Sequence, residues 1–212
     1  LERVRTLGPE IGTAALREYH ERAHDAVEIR IGLLDVAAHA IPAEAQPLLL
    51  GLFEDAKADP ALRNAAVGLL GETAPEVALS TLAGVLLLNR PTKTYPASER
   101  LLDAWNTAAL KLGVDRGPLL AHVAINLSEE QAARHAAAEE LGEFQSEIGK
   151  KALETLMVES SGNNYLRRKA AQSYARTVSK EELCAHLTQL LTHEADLSFA
   201  EFLDDMLQKN CR

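Results

Sequence analysis

The chain has 212 residues, with 22 Lys or Arg against 31 Asp or Glu, a net charge of −9. That balance disfavours nonspecific binding to DNA or anionic membranes, and no apolar run approaches the roughly 20 residues needed to cross a bilayer. Aromatics are only 4% of the chain, so Ala and Leu carry the packing, which favours close-packed helices over a β-sandwich. The first residue is Leu, which fits a processed chain or a piece of a longer one.

Apolar spacing predicts twelve helices, at 9–24, 26–40, 43–57, 60–72, 75–89, 97–112, 116–127, 129–144, 146–159, 164–177, 180–193 and 197–209. The first begins at Pro9 and closes on HERAH, residues 20 to 24. This matches HExxH, where two His on one helix face hold zinc and the Glu activates water. His20, Glu21 and His24 are therefore the candidate metal residues. Charge from Arg22 and Asp25 lies beside them and no third ligand is evident. An ordinary polar helix end is the preferred reading, and no metal or cofactor is expected.

Along the next helices the chain repeats itself. With Arg63 as zero, Ala65 and Ala66 follow, then Gly71, Pro75 and Leu82. Arg134 brings Ala136, Ala137, Gly142, Ser146 and Leu153, and Arg168 brings Ala170, Ala171, Arg176, Lys180 and Leu187. Arg30 brings Gly32, Leu33, Ala38, Pro42 and Leu49, and Pro9, Pro42 and Pro75 are evenly spaced. Each unit reads as two helices with a turn between them. A single pair cannot bury both its faces, so stacked pairs share a core and the array is a solenoid.

Two stretches, ALRNAAVGLLGETAPEVALSTLAGVL at 61–86 and AARHAAAEELGEFQSEIGKKALETLM at 132–157, resemble HEAT-like repeats of the phycobilisome-lyase type. The resemblance runs from about Pro9 to the C-terminus. It implies an all-α fold, a right-handed α-α superhelix (HEAT-like solenoid) of about six helix pairs. The whole chain, 1–212, then forms one array, with an irregular repeat near 90–113 and a capping helix at about 197–209. Such repeats serve as scaffolds, adaptors, lyase chaperones and DNA-binding modules, so architecture does not name activity. Deoxyhypusine hydroxylase is a HEAT-repeat enzyme whose iron ligands are His-Glu pairs. Here the corresponding pair is His135-Ala136, which lacks the carboxylate. His20-Glu21 and His193-Glu194 fall near the ends of the other helix of their units. The remaining histidines, His39, His122 and His186, are scattered.

The Arg series has two readings. The favoured one is structural: each Arg pairs with an acid or a carbonyl at a repeat junction, and Asp25, Asp59 and Glu130 stand four or five residues upstream of three of them. The second is an anion-binding stripe on the concave face, densest at Arg167, Arg168 and Lys169. The broken repeat, RPTKTYP at 90–96, gathers Arg90, Lys93, Tyr95 and the one Trp, Trp105. Aromatics and Arg dominate binding hot spots, although Trp105 also suits a gap in the repeat packing. Near the C-terminus, Cys184 and Cys211 come within about a turn of each other when the last two helices fold back. Free thiols are the default in a cytosolic setting.

These residues lead to a noncatalytic scaffold or adaptor that binds a protein on its concave face. The candidate contacts are Arg63, Arg90, Lys93, Tyr95, Trp105, Arg134, Arg167 and Arg168. A HEAT-type lyase or metal-dependent enzyme is the alternative, and a HEAT-like DNA-lesion binder the third. Nucleic acid is disfavoured by the charge.

Overall fold

A computed structural model describes residues 8–88, 95–159 and 163–211. Among them are twelve α-helices and no strand. Two compact units divide the chain, residues 1–115 and 116–212.

The first unit holds α1 (Pro9–Glu21), α2 (Val27–Ala40), α3 (Pro42–Glu54), α4 (Pro60–Thr73), α5 (Pro75–Leu87) and α6 (Ser98–Leu112). The evenly spaced prolines open α1, α3 and α5, where a missing N–H costs no helical bond. Asp59 caps α4 by accepting from the Ala61 N–H at 2.8 Å. Gly113 ends α6 at φ 66°, a left-handed conformation that disfavours a side chain. Consecutive helices pair, and α4 also packs on α2 and α6. The close approach of α4 to α6 occurs at Gly71, where an added Cβ would overlap the backbone carbonyl of Ala104.

The second unit holds α7 (Gly117–Ile125), α8 (Gln131–Leu141), α9 (Glu147–Val158), α10 (Asn164–Thr177), α11 (Lys180–His193) and α12 (Leu197–Cys211). Ser146, Asn163 and Ser179 cap three of these, each accepting a backbone N–H two or three residues into the helix. Here α7 packs on α9 and α8 on α10, and α11 pairs with α12. Gly142 plays the part of Gly71: its Cβ would lie 2.8 Å from that of Ser173 on α10.

One face of α4, α8 and α10 enters the core in the same register. Taking Arg63 and Arg134 as zero, positions +3, +4 and +7 are Ala66, Val67 and Leu70, then Ala137, Ala138 and Leu141, all buried. The same pattern in α10 starts at Arg167, with Ala170, Ala171 and Tyr174. The repeat register in α10 is therefore set by Arg167, one residue before the Arg168 that the sequence spacing selected. The reason is helical periodicity: +3, +4 and +7 share a face, whereas +2 and +3 do not define one. With that correction, Arg30 to Arg63 and Arg134 to Arg167 are both steps of 33 residues.

Candidate functional site

Because the Arg at position zero lies on the same face as +3, +4 and +7, it points inward. Arg63, Arg134 and Arg167 are 7%, 5% and 9% exposed. Each donates to a carbonyl ten residues upstream, at the end of the preceding helix. Arg63 Nη2 reaches the Phe53 oxygen at 3.0 Å. Arg134 Nε reaches Ala124, and Arg167 Nε reaches Met157, both at 2.9 Å. Those carbonyls are among the last four of a helix, which lack intrahelical donors, and the negative end of the helix dipole favours a cation there. Arg30 is half-buried and bonds the Tyr19 hydroxyl at 2.8 Å instead, with its guanidinium over the Tyr19 ring. Burial raises the pKa of that phenol against the opposing pull of Arg30.

Carboxylates join the ladder from downstream. Arg134 pairs with Glu159 and Arg167 with Glu194. Two of the acids expected four or five residues upstream do other work. Asp59 caps α4, and Asp25 pairs with Arg22. A residue just before a helix is better placed to meet that helix's own N–H groups than a guanidinium on its buried face.

The two ion pairs have a topological consequence within the second unit. Arg134 follows the α7–α8 turn and Glu159 begins the α9–α10 turn. Arg167 follows that turn, and Glu194 lies in the α11–α12 turn. The helix ends that flank these turns are thus held side by side. Together, the ends and turns carry exposed apolar side chains: Ile125, Leu127 at 71%, Val158, Tyr165 and Leu197 at 81%. Between the last two turns lies a crevice of about 440 Å3, with Val158, Leu190 and Ala195 along it and the Arg167–Glu194 pair in its wall.

Electrostatics at this edge are settled internally. Burial alone would raise the pKa of Glu194, but the Arg167 hydrogen bond and the Asp196 backbone N–H outweigh it and hold the carboxyl below its ordinary 4.5. Asp196 is likewise lowered, first by Asn164 and then by the Phe199 N–H that it caps. Burial chiefly, then Arg134 and Lys169, lower the pKa of His135, whose ring packs on Tyr165 with centroids 4.6 Å apart.

The other predicted residues scatter. Trp105 is buried in α6, and Tyr95 packs on Phe53 with ring centroids 5.3 Å apart. Both belong to packing in the first unit. Arg90 and Lys93 lie outside the described residues. Arg168 is half-buried and bonds the Ser198 carbonyl at 2.8 Å and hydroxyl at 2.6 Å. Arg63, Arg134 and Arg167 do not form an open basic stripe, because their guanidiniums are turned into the helix junctions. The HExxH geometry does not form either. Helix α1 stops at Glu21 and residues 22–24 turn, so His24 leaves the face that carries His20. Among the described residues, no group of three or more His, Cys, Asp or Glu could hold a metal ion.

Two features go beyond the favoured expectations from sequence. His39 joins α2 to α4, its Nδ1 3.2 Å from Asp35 and its Nε2 3.3 Å from Glu72. The i,i+4 spacing of Asp35 and His39 signals half of that bridge; Glu72 gives no local signal. Second, Cys184 and Cys211 form a disulfide, where free thiols were the default. The pairing of α11 with α12 brings their Cα atoms to 5.8 Å, within bonding range.

Comparison with protein-family models, with curated proteins and with solved structures finds no match.

Proposed function

We propose that this chain is a noncatalytic, HEAT-like interaction module that binds a partner protein. The observation that carries this reading is the edge of the second unit. Helix ends pinned together by Arg134–Glu159 and Arg167–Glu194, with the residues beside them, expose Leu127, Val158 and Leu197. A lone exposed Leu is ordinary, but several on adjoining turns make a patch of the kind that partners cover. The ladder holds the helix ends at Arg134, Glu159, Arg167 and Glu194 beforehand, so binding loses little entropy in ordering them. The binding surface is accordingly this turn edge, in place of the Arg-bearing helix faces.

The test is affinity capture from native lysate with the parent chain and with a Leu127→Glu, Leu197→Glu variant of matching circular dichroism. The reading expects a partner retained by the parent and lost by the variant. Equal retention by both would remove the edge from consideration.

A further inference from the structure

The disulfide sits where the rest of the packing thins out. Cys184 lies in the first turn and a half of α11, and Cys211 is the last residue of α12. The bridge therefore closes the open end of this hairpin, opposite the 194–196 turn.

The two ends of α12 are held by different means. At its start, Phe199 is fully buried beneath the Arg167 guanidinium, 3.8 Å from ring centroid to Cζ. Arg168 bonds Ser198 and lies over the Phe202 ring. Leu203 is fully buried and Met206 nearly so. Beyond Met206 only the half-buried Leu207 continues the apolar face. Gln208, Lys209 and Asn210 are exposed. Their side-chain hydrogen bonds run back into α12 itself, to Asp204, Asp205 and the Met206 carbonyl. Such bonds support a helix but do not dock it. Among the described residues, the Cys184–Cys211 bond is the covalent tie between this last turn and α11.

We propose that this bridge is a redox-operated latch on the C-terminal end of the second unit. Oxidised, it holds the last turn of α12 against the start of α11. Reduced, that turn releases and uncovers the neighbouring apolar residues Leu183 and Met206, while the start of α12 stays docked through Phe199 and Leu203. The reductant is a dithiol. One of its thiolates attacks a bridge sulfur and forms a mixed disulfide, displacing the other cysteine as a thiolate. The second thiol of the reductant then displaces the protein sulfur. Two electrons pass to the protein, which ends with two thiols, and the reductant leaves as its own disulfide. Local release is what a helix end with few apolar anchors undergoes when its covalent tether is cut.

The experiment is hydrogen exchange followed by mass spectrometry on the full chain, purified without reductant and then treated with dithiothreitol. Thiol alkylation under denaturing conditions first counts free cysteines, and none is expected before reduction. On reduction, amides of 204–211 are expected to exchange at least about tenfold faster, with 197–202 unchanged. A Cys211→Ser variant should show the same pattern without reductant. Reoxidation should restore protection in the parent and not in the variant. Two free thiols in the purified chain would overturn the proposal, as would unchanged exchange in 204–211. Loss of protection throughout 116–212 would also overturn it, because the bridge would then be a staple for the whole unit.

Discussion

At the residue scale, the ladder arginines show why a cation can be a core residue. The guanidinium spends its donors on a helix-end carbonyl and a carboxylate, and its flat face can lie on a ring, as Arg167 lies on Phe199. Removing one partner of a buried pair leaves the other charged and desolvated. Arg167→Met is therefore expected to lower unfolding free energy by about 3 kcal/mol or more. Arg168→Met, which loses exposed-side bonds to Ser198, should cost about 1 kcal/mol or less. Urea titration of the two variants checks the register directly, since a repeat set by Arg168 would reverse the order. The same pair sets a pH dependence. The folded pKa of Glu194 is lowered relative to the unfolded chain, so its stabilisation is complete above the unfolded value near 4.5. It is lost as pH falls through the lower folded value, because the unfolded chain takes up the proton first. Stability measured from pH 6 down to pH 3 should fall less steeply in Glu194→Gln than in the parent.

At the element scale, what matters is how closely the even helices approach. Gly71 and Gly142 both stand eight residues after a ladder Arg, and each faces the next even helix. In an isolated helix Ala would be better than Gly by about 1 kcal/mol. At Gly71 the packing wins, because the Cβ would meet the backbone of Ala104, which cannot rotate away as a side chain can. Gly71→Ala is expected to destabilise by about 1 to 3 kcal/mol, read as a lower midpoint in urea. Gly68→Ala is the control: a Cβ there meets nothing within 4 Å, so helix propensity should make that change neutral or stabilising.

At the scale of the whole molecule, the acidic balance and the exposed aliphatics of the turn edge act together. A net charge of −9 opposes the polyelectrolyte term that drives nonspecific nucleic-acid binding. The apolar turn edge does not depend on net charge. Partner capture at that edge should therefore persist at high salt, where screening weakens exposed charge pairs, and should fail in the Leu127→Glu, Leu197→Glu variant at any salt. Capture that vanishes with salt in the parent would instead point to a charged surface.

The sequence by itself determined the helices, their pairing and the repeat, because each of those follows from local rules. Prolines open helices where no N–H is missed, and apolar residues recur at 3 and 4. A 33-residue step repeats a unit that cannot bury its faces alone. All twelve predicted helices form. The direction of the arginines was also within reach, since Ala137, Ala138 and Leu141 lie on the face of Arg134. Matching the Ala pairs across repeats hid that phase by one residue in α10. Only the tertiary structure decided which acids meet those arginines, because Glu159 and Glu194 stand 25 and 27 residues downstream and helix packing alone brings them near. It likewise decided that His39 bridges two helices, that the cysteines join, and that the helix ends flanking three distant turns share one edge. Those are relations between elements, and local spacing carries no record of them.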